Sequence, residues 1–166
     1  MIAILHADKK WGIGKKNDLM FRLPLDMKFF RETTSGKIVC MGYNTLLSFP
    51  GSKPLKNRTN IVLCEDGLSP EGCIAVHSVP ELLATVKQYN KDDVFVIGGA
   101  SVYRTLLPYC EKVYLTKVDA DGGAEVFFPD LDKDEKFVLV SESAPVDDNG
   151  YTIRFTTYQN LNVKPY

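Results

Sequence analysis

The chain has 166 residues, 45% hydrophobic, 25% charged and 11% aromatic, the composition of an ordinary folded domain, which excludes collagen-like, disordered and mini-protein classes. At this length roughly two-thirds of the unfolded surface can be buried, so a core can form without disulfides or a structural metal. With 20 basic against 21 acidic residues the net charge is -1, and no run of like charges offers a face to nucleic acid or to an anionic membrane.

Ile2 to Ala7 is a short, mostly apolar run that reads as a strand buried on both faces. Asp8 to Arg22, with Gly12, Gly14, Asn17 and several lysines, reads as a long functional loop. Pro24 suits the first turn of a helix that Gly36 closes. Lys37 to Met41 reads as a strand, Tyr43 to Phe49 as a short helix stopped by Pro50-Gly51, and Asn60 to Leu63 and Cys73 to Val76 as further strands. Ser78-x-x-Glu81 is a capping box opening a helix to about Tyr89. Val94 to Ile97 is a strand, followed by Gly98-Gly99 and a helix to Pro108. Lys112 to Val118, Phe137 to Ser141 and Tyr151 to Tyr158 are strands, the last two joined through Asp147-Asp148-Asn149-Gly150, whose Asn-Gly suits a hairpin turn. Alternation first and strand pairing afterwards imply a mostly parallel sheet with an antiparallel edge.

Cys40, Cys64, Cys73 and Cys110 form no Cys-x-x-Cys pair, and His6 and His77 are far apart, so no metal-ligand spacing is present. Met1 to Leu5 is too short an apolar run for a signal peptide or membrane span, and free thiols in a reducing cytoplasm are expected.

Two features could carry chemistry. Gly98-Gly99 before a helix is bare backbone of the kind that accommodates a phosphate, and it is equally the default for a tight strand-to-helix turn. The full Gly-x-Gly-x-x-Gly and Walker patterns are missing. Asp26 sits among Phe21, Leu23, Leu25, Met27, Phe29 and Phe30. Exposed, it would complement the helix dipole; buried, it could accept paired N–H donors from a flat amidine-like heterocycle. Both readings stand at this level.

The strings Gly12-Ile13-Gly14-Lys15, Leu23-Pro24-x-Asp26-Met27-x-x-Phe30, Met41-Gly42-x-x-Thr45, Pro54-Leu55-x-x-Arg58-x-Asn60, Ile97-Gly98-Gly99-x-x-Val102-Tyr103, Tyr114-Leu115-Thr116 and Phe128-Pro129 run over nearly the whole chain. Each is common alone; in this order they resemble the dihydrofolate reductase family. The resemblance implies one α/β domain over 1–166, with a central, mostly parallel eight-stranded sheet, an antiparallel C-terminal edge strand and flanking helices. It also implies an oxidoreductase of one-carbon metabolism, a monomer that binds dihydrofolate and antifolate inhibitors. The implied reaction is NADPH-dependent reduction of 7,8-dihydrofolate to 5,6,7,8-tetrahydrofolate, with hydride delivered to C6 and a proton to N5.

By the same resemblance Asp26 binds the pterin amide N–H and 2-amino group, supported by Thr116. Ile4, Leu5, Met27, Phe30, Phe49, Leu55 and Ile97 match the walls of the pterin and benzoyl pocket, material that a sequence cannot distinguish from core. Arg58 matches the bidentate partner of the substrate α-carboxylate. The matched cofactor positions are His6, Gly42, Tyr43, Asn44, Thr45, Leu63, Cys64 and Glu65, with the turn Gly98, Gly99, Ala100, Ser101, Val102 and Tyr103, whose Gly98-Gly99 peptide the family makes cis. Ile13, Gly14 and Leu19 belong to the loop expected to close over the nicotinamide.

Several positions depart from the family pattern. Tyr43, Cys64, Glu65 and Ser101 stand where basic or hydroxyl residues usually clamp the cofactor 2′-phosphate. A carboxylate there repels a phosphate but can bond a free ribose 2′-hydroxyl, which makes NADH use an expectation beside NADPH. Phe21 replaces a Trp whose indole N–H holds a water. His6 replaces a common Ala and either packs in its strand or joins the chemistry; Glu125 and Val126 replace an Asp-Thr pair. The related reductase of riboflavin synthesis shares the sheet and the nicotinamide, and Asp26 and Arg58 argue against it. A non-catalytic nucleotide or pterin sensor would tolerate the changes at Phe21, Tyr43 and Glu65.

Overall fold

The computed structural model describes residues 1–16 and 18–166. In chain order the elements are β1 (Ile2–Ala7), β2 (Gly12–Gly14), α1 (Pro24–Thr34), β3 (Ile38–Gly42), α2 (Tyr43–Ser48), β4 (Thr59–Leu63) and β5 (Ile74–Val76). There follow α3 (Val79–Val86), β6 (Val94–Gly98), α4 (Ala100–Leu106), β7 (Lys112–Val118), β8 (Val126–Phe127), β9 (Phe137–Glu142), β10 (Val146–Asp148) and β11 (Tyr151–Asn160).

The apolar runs assemble into one sheet in the order β10-β11-β7-β1-β6-β3-β4-β5, with β9 also on β11. The six strands from β5 to β7 are parallel neighbours, while β11 runs antiparallel to β7, and β9 and β10 antiparallel to β11. The mostly parallel sheet with an antiparallel edge is the one the alternation of elements implies. Its outer border is divided: β10 pairs with the start of β11 and β9 with its end, on the flank away from β7. The sheet therefore holds nine strands across the eight expected positions. Pro145, which has no N–H for a ladder, lies in the break between the two border segments.

Period-two alternation along β1 feeds both faces. Ile2 and Ile4 join Val39, Met41, Leu46, Val62 and Phe95 on one side, where Phe29 and Phe30 of α1 pack. Met1, Ala3 and Ala7 join the opposite cluster with Leu82, Val86, Val102, Tyr103 and Leu106 of α3 and α4. Ser78 caps α3 by accepting the Glu81 N–H at 3.2 Å, but the Glu81 carboxylate reaches the His77 N–H at 2.9 Å, one residue before the reciprocal partner of a standard capping box.

The segment Asp8 to Arg22 is more ordered than its composition suggests. β2 pairs antiparallel with β8, and the buried Asp8 carboxylate accepts N–H groups from Lys10 at 2.8 Å, Gly12 at 2.7 Å and Gly122 at 3.0 Å. A Cβ at Gly12 would collide with Ala124 and with Asp8 itself, so this close approach needs glycine. Glu125 accepts the Lys16 N–H at 2.7 Å and donates its own N–H to the Gly14 carbonyl at 2.9 Å, so the substituted position still tethers the loop. Asn17, counted with that loop, lies outside the described residues.

All four cysteines are free, and burial pushes the Cys40 and Cys110 thiols up to about 12. Among the described residues no helix is long and apolar enough to cross a membrane.

The start of α1 is held from a distance. Leu23, at its N-cap, supplies no side-chain acceptor. The N–H groups of Leu25 and Asp26 instead donate to Asp148 Oδ1 at 3.0 Å and Oδ2 at 3.1 Å, from a side chain on β10 that is 1% exposed. The hairpin after it turns through Asn149 and Gly150 at φ 55° and 87°, the left-handed pair that an Asn-Gly turn supplies. Asp148→Ala would leave the buried Asp26 N–H and the half-buried Leu25 N–H without their acceptor and should lower stability by about 1–3 kcal/mol, read as a fall in urea midpoint; an unchanged midpoint would reject this distal cap.

Candidate active site

The first turn of α1 delivers Asp26 to the sheet. Pro24 occupies the start of the helix, where its missing N–H costs nothing, and Phe29 and Phe30, on the following turn, pack on the Ile4 side. Asp26 is thereby buried, 9% exposed, which decides between the two readings of this acid. Its Oδ1 accepts the Thr116 hydroxyl at 2.6 Å, and its Oδ2 lies 3.3 Å from His6 Nδ1. The two partners are neighbours because β1 and β7 run parallel with His6 opposite Thr116. The Thr116 hydroxyl occupies one lone pair of Oδ1, and the carboxylate keeps others for a ligand.

Around it the structure brings together Ile4, Phe30, Phe49, Leu55 and Ile97 in one apolar cluster. Leu5 points away from that group and packs against the opposite cluster, as the strand period requires. Met27 is 53% exposed, as is Leu25 at 43%, so the outer side of the α1 start is apolar surface. Phe21 is buried, packed edge-on against Tyr151 at 4.9 Å, with the His6 ring 6.1 Å away. A separate hollow lined by Phe29, Thr33, Tyr114, Ser141 and Phe155 shares only Thr116 with the expected site residues.

Arg58 is half-buried and fixed at three points. Nε donates to Thr34 Oγ1 at 3.2 Å, Nη1 to the Lys56 carbonyl at 2.8 Å and Nη2 to the Arg31 carbonyl at 3.5 Å. Burial, and secondarily the Arg31 charge, bring its guanidinium below the ordinary arginine value. Two adjacent cations at the end of α1 suit an exposed carboxylate.

The expected cofactor residues converge at the ends of β3 and β6. Gly98 has φ +136° and joins Gly99 through a cis peptide. A Cβ at Gly98 would stand 3.3 Å from Thr45 Oγ1, and one at Gly42 3.1 Å from Val102. Tyr103 closes the group, its N–H donating to the Gly99 carbonyl at 2.9 Å and its hydroxyl to the Ile4 carbonyl at 2.8 Å. Ala100 and Ser101 begin α4, and Tyr43, Asn44 and Thr45 begin α2. The resulting cradle is largely backbone, which fits a pyrophosphate, and a side chain at Gly42 or Gly98 would crowd Val102 or Thr45.

Leu63 ends β4, followed by Cys64 and the exposed Glu65 and Asp66. His77 Nδ1 sits 3.2 Å from the Cys64 carbonyl and 4.0 Å from Asp66 Oδ1. Burial raises the Cys64 thiol, with Glu81 and Asp66 adding to it. Ile13 packs at the border of the core and Gly14 pairs with Val126, while Leu19 is 61% exposed.

The residues that sequence reasoning missed are Asp148 and Asp8. Asp148 acts through N–H groups more than a hundred residues away, and Asp8 joins the nearby Lys10 and Gly12 N–H groups to the distant Gly122; the only hint was that Leu23 makes a poor cap.

A family model described as dihydrofolate reductase matches residues 1–160. Dihydrofolate reductase of Bacillus subtilis (strain 168) is 35% identical over 165 residues, covering 98% of this chain and 96% of that one. The enzyme of Staphylococcus haemolyticus is 32% identical over 160 residues, covering 95% and 94%. Among solved structures, dihydrofolate reductase from Enterococcus faecalis complexed with NADP(H) and RAB-propyl superposes with a TM-score of 0.85 at 35% identity, covering 96% of this chain and 95% of that one. With a buried carboxylate under α1 and a glycine cradle at the end of β6, this chain belongs to the dihydrofolate reductase family.

Proposed function

We propose that this protein reduces 7,8-dihydrofolate to 5,6,7,8-tetrahydrofolate with a reduced nicotinamide cofactor, as a monomer in a reducing cytoplasm. The observation that carries the reading is the buried Asp26, with Thr116 on one oxygen and His6 near the other. The free thiols support a reducing compartment.

Asp26 accepts the pterin amide N–H and 2-amino group as a pair, an interaction in which charge and planarity both matter. Ile4, Phe30, Phe49, Leu55, Ile97 and the outer Met27 supply apolar walls for the ring and benzoyl group, with Leu5 contributing through its β1 backbone. Arg58 binds the α-carboxylate. The N5 proton arrives through water, because a carboxylate gripping the far edge of the pterin cannot reach N5 itself. Gly42, Tyr43, Asn44, Thr45 and the turn from Gly98 to Tyr103 would hold the cofactor pyrophosphate and ribose, and His6, Ile13, Gly14 and Leu19 would line its nicotinamide end. NADPH, when bound, supplies the hydride.

At the far end of the cofactor site, Leu63, Cys64 and Glu65 lead into a surface that carries the exposed carboxylates of Glu65 and Asp66. Like charge opposes a 2′-phosphate, and the reading adopted is a weakened preference for NADPH, with NADH also used.

Mixing protein, dihydrofolate and each reduced nicotinamide should consume reduced-cofactor absorbance; binding without turnover would overturn the reading in favour of a sensor. Asp26→Asn keeps the shape and loses the charge, and should slow hydride transfer near neutral pH on the order of 10²-fold with an unchanged circular dichroism spectrum. Arg58→Lys should raise KM for dihydrofolate by about tenfold while changing hydride transfer much less. The ratio of kcat/KM for NADPH over NADH should lie within about tenfold of one; a ratio near 10³ would show that the 2′-phosphate is still clamped.

A further inference from the structure

We propose that His6 is a positioning residue for the substrate-binding carboxylate, locking Asp26 from the side opposite Thr116; the proposal rests on the reading that Asp26 holds the pterin edge. The His6 side chain is 9% exposed, its Nδ1 is 3.3 Å from Asp26 Oδ2, and its Nε2 is buried with no hydrogen-bond partner among the described residues. These facts select a tautomer. With the proton on Nε2, that donor would be orphaned and the Nδ1 lone pair would face a carboxylate oxygen. With the proton on Nδ1, the donor meets Oδ2 and only an acceptor is left unpaired. The arrangement therefore favours a proton on Nδ1, facing Asp26 Oδ2.

The consequence is mechanical. Thr116 alone fixes one oxygen and leaves the carboxylate free to rotate about its Cβ–Cγ bond, a broad torsion. A donor on each oxygen sets the plane in which both oxygens must present lone pairs to the ligand. The parallel register that places His6 opposite Thr116 makes this two-sided hold a property of β1 and β7, both rigid strands. Phe21 backs the arrangement: its ring lies 6.1 Å from that of His6 and packs on Tyr151, and phenylalanine carries no polar atom to draw the imidazole away. The Asp148 carboxylate is engaged by the Leu25 and Asp26 N–H groups, and the Tyr103 hydroxyl is committed to the Ile4 carbonyl, so neither competes for Nδ1.

The test is a double-mutant cycle read as the calorimetric Kd for dihydrofolate. His6→Leu fills the space of the ring without a donor, and His6→Asn restores an N–H close to the Nδ1 position. His6→Leu should weaken binding by about tenfold, and His6→Asn should recover it to within about threefold. In an Asp26→Asn background His6→Leu should cost less than about twofold, because there is no charged oxygen left to orient. Equal losses in both backgrounds would assign His6 to packing alone and overturn the proposal, as would a His6→Leu protein that binds like the parent. If Asp26→Asn by itself leaves binding unchanged, it is the role of Asp26 that fails, and the proposal falls with it.

Discussion

A single carboxylate, Asp26, organises this protein, and its burial is possible only because every neighbouring element contributes a donor or a shield. Removing a charge from water is expensive unless it is hydrogen-bonded. Here β7 supplies the Thr116 hydroxyl and β1 the His6 imidazole, while α1 adds the positive end of its own dipole. The helix start is in turn held by Asp148 from the hairpin at the other border of the sheet. Two acids thus share one helix terminus, one facing the site and one bracing it from behind, and the N–H groups between them moderate their repulsion.

This arrangement links stability to function at a specific place. The apolar faces on either side of the sheet carry the bulk of the folding energy, and they would tolerate conservative exchange. The start of α1 is less tolerant, since Asp148 is the acceptor for the N–H of Leu25 and of Asp26 itself. The segment from Asp8 to Arg22 shows the same economy: the Asp8 and Glu125 carboxylates bond backbone N–H groups of β2, of the turn after it and of the loop that leads into β8, leaving the exposed Leu19 on a stretch tethered at its base.

Much of the fold was legible because periodicity and punctuation report local structure. The alternation of apolar runs with helical segments required parallel crossovers, Pro24 and Ser78 marked helix starts, and Asn149-Gly150 marked a hairpin. The divided border of the sheet was not legible, because the flank that a short strand occupies depends on its partner. For the site, ordered motifs singled out Asp26, Arg58 and the Gly98-Gly99 turn, but the pocket walls could not be told from core, and Leu5 illustrates the difficulty: one step along β1 from Ile4, it packs on the other face.

The amino-acid sequence by itself determined the class of fold, the family and the residue types available for chemistry, since these follow from local pattern and from motif order. Only the tertiary structure decided that Asp26 is buried rather than exposed, that His6 stands beside it, and that Asp148 reaches the Leu25 and Asp26 N–H groups and Asp8 the Gly122 N–H. The physical reason is that burial and hydrogen bonding are properties of the space around a side chain, and that space is assembled from segments more than a hundred residues apart.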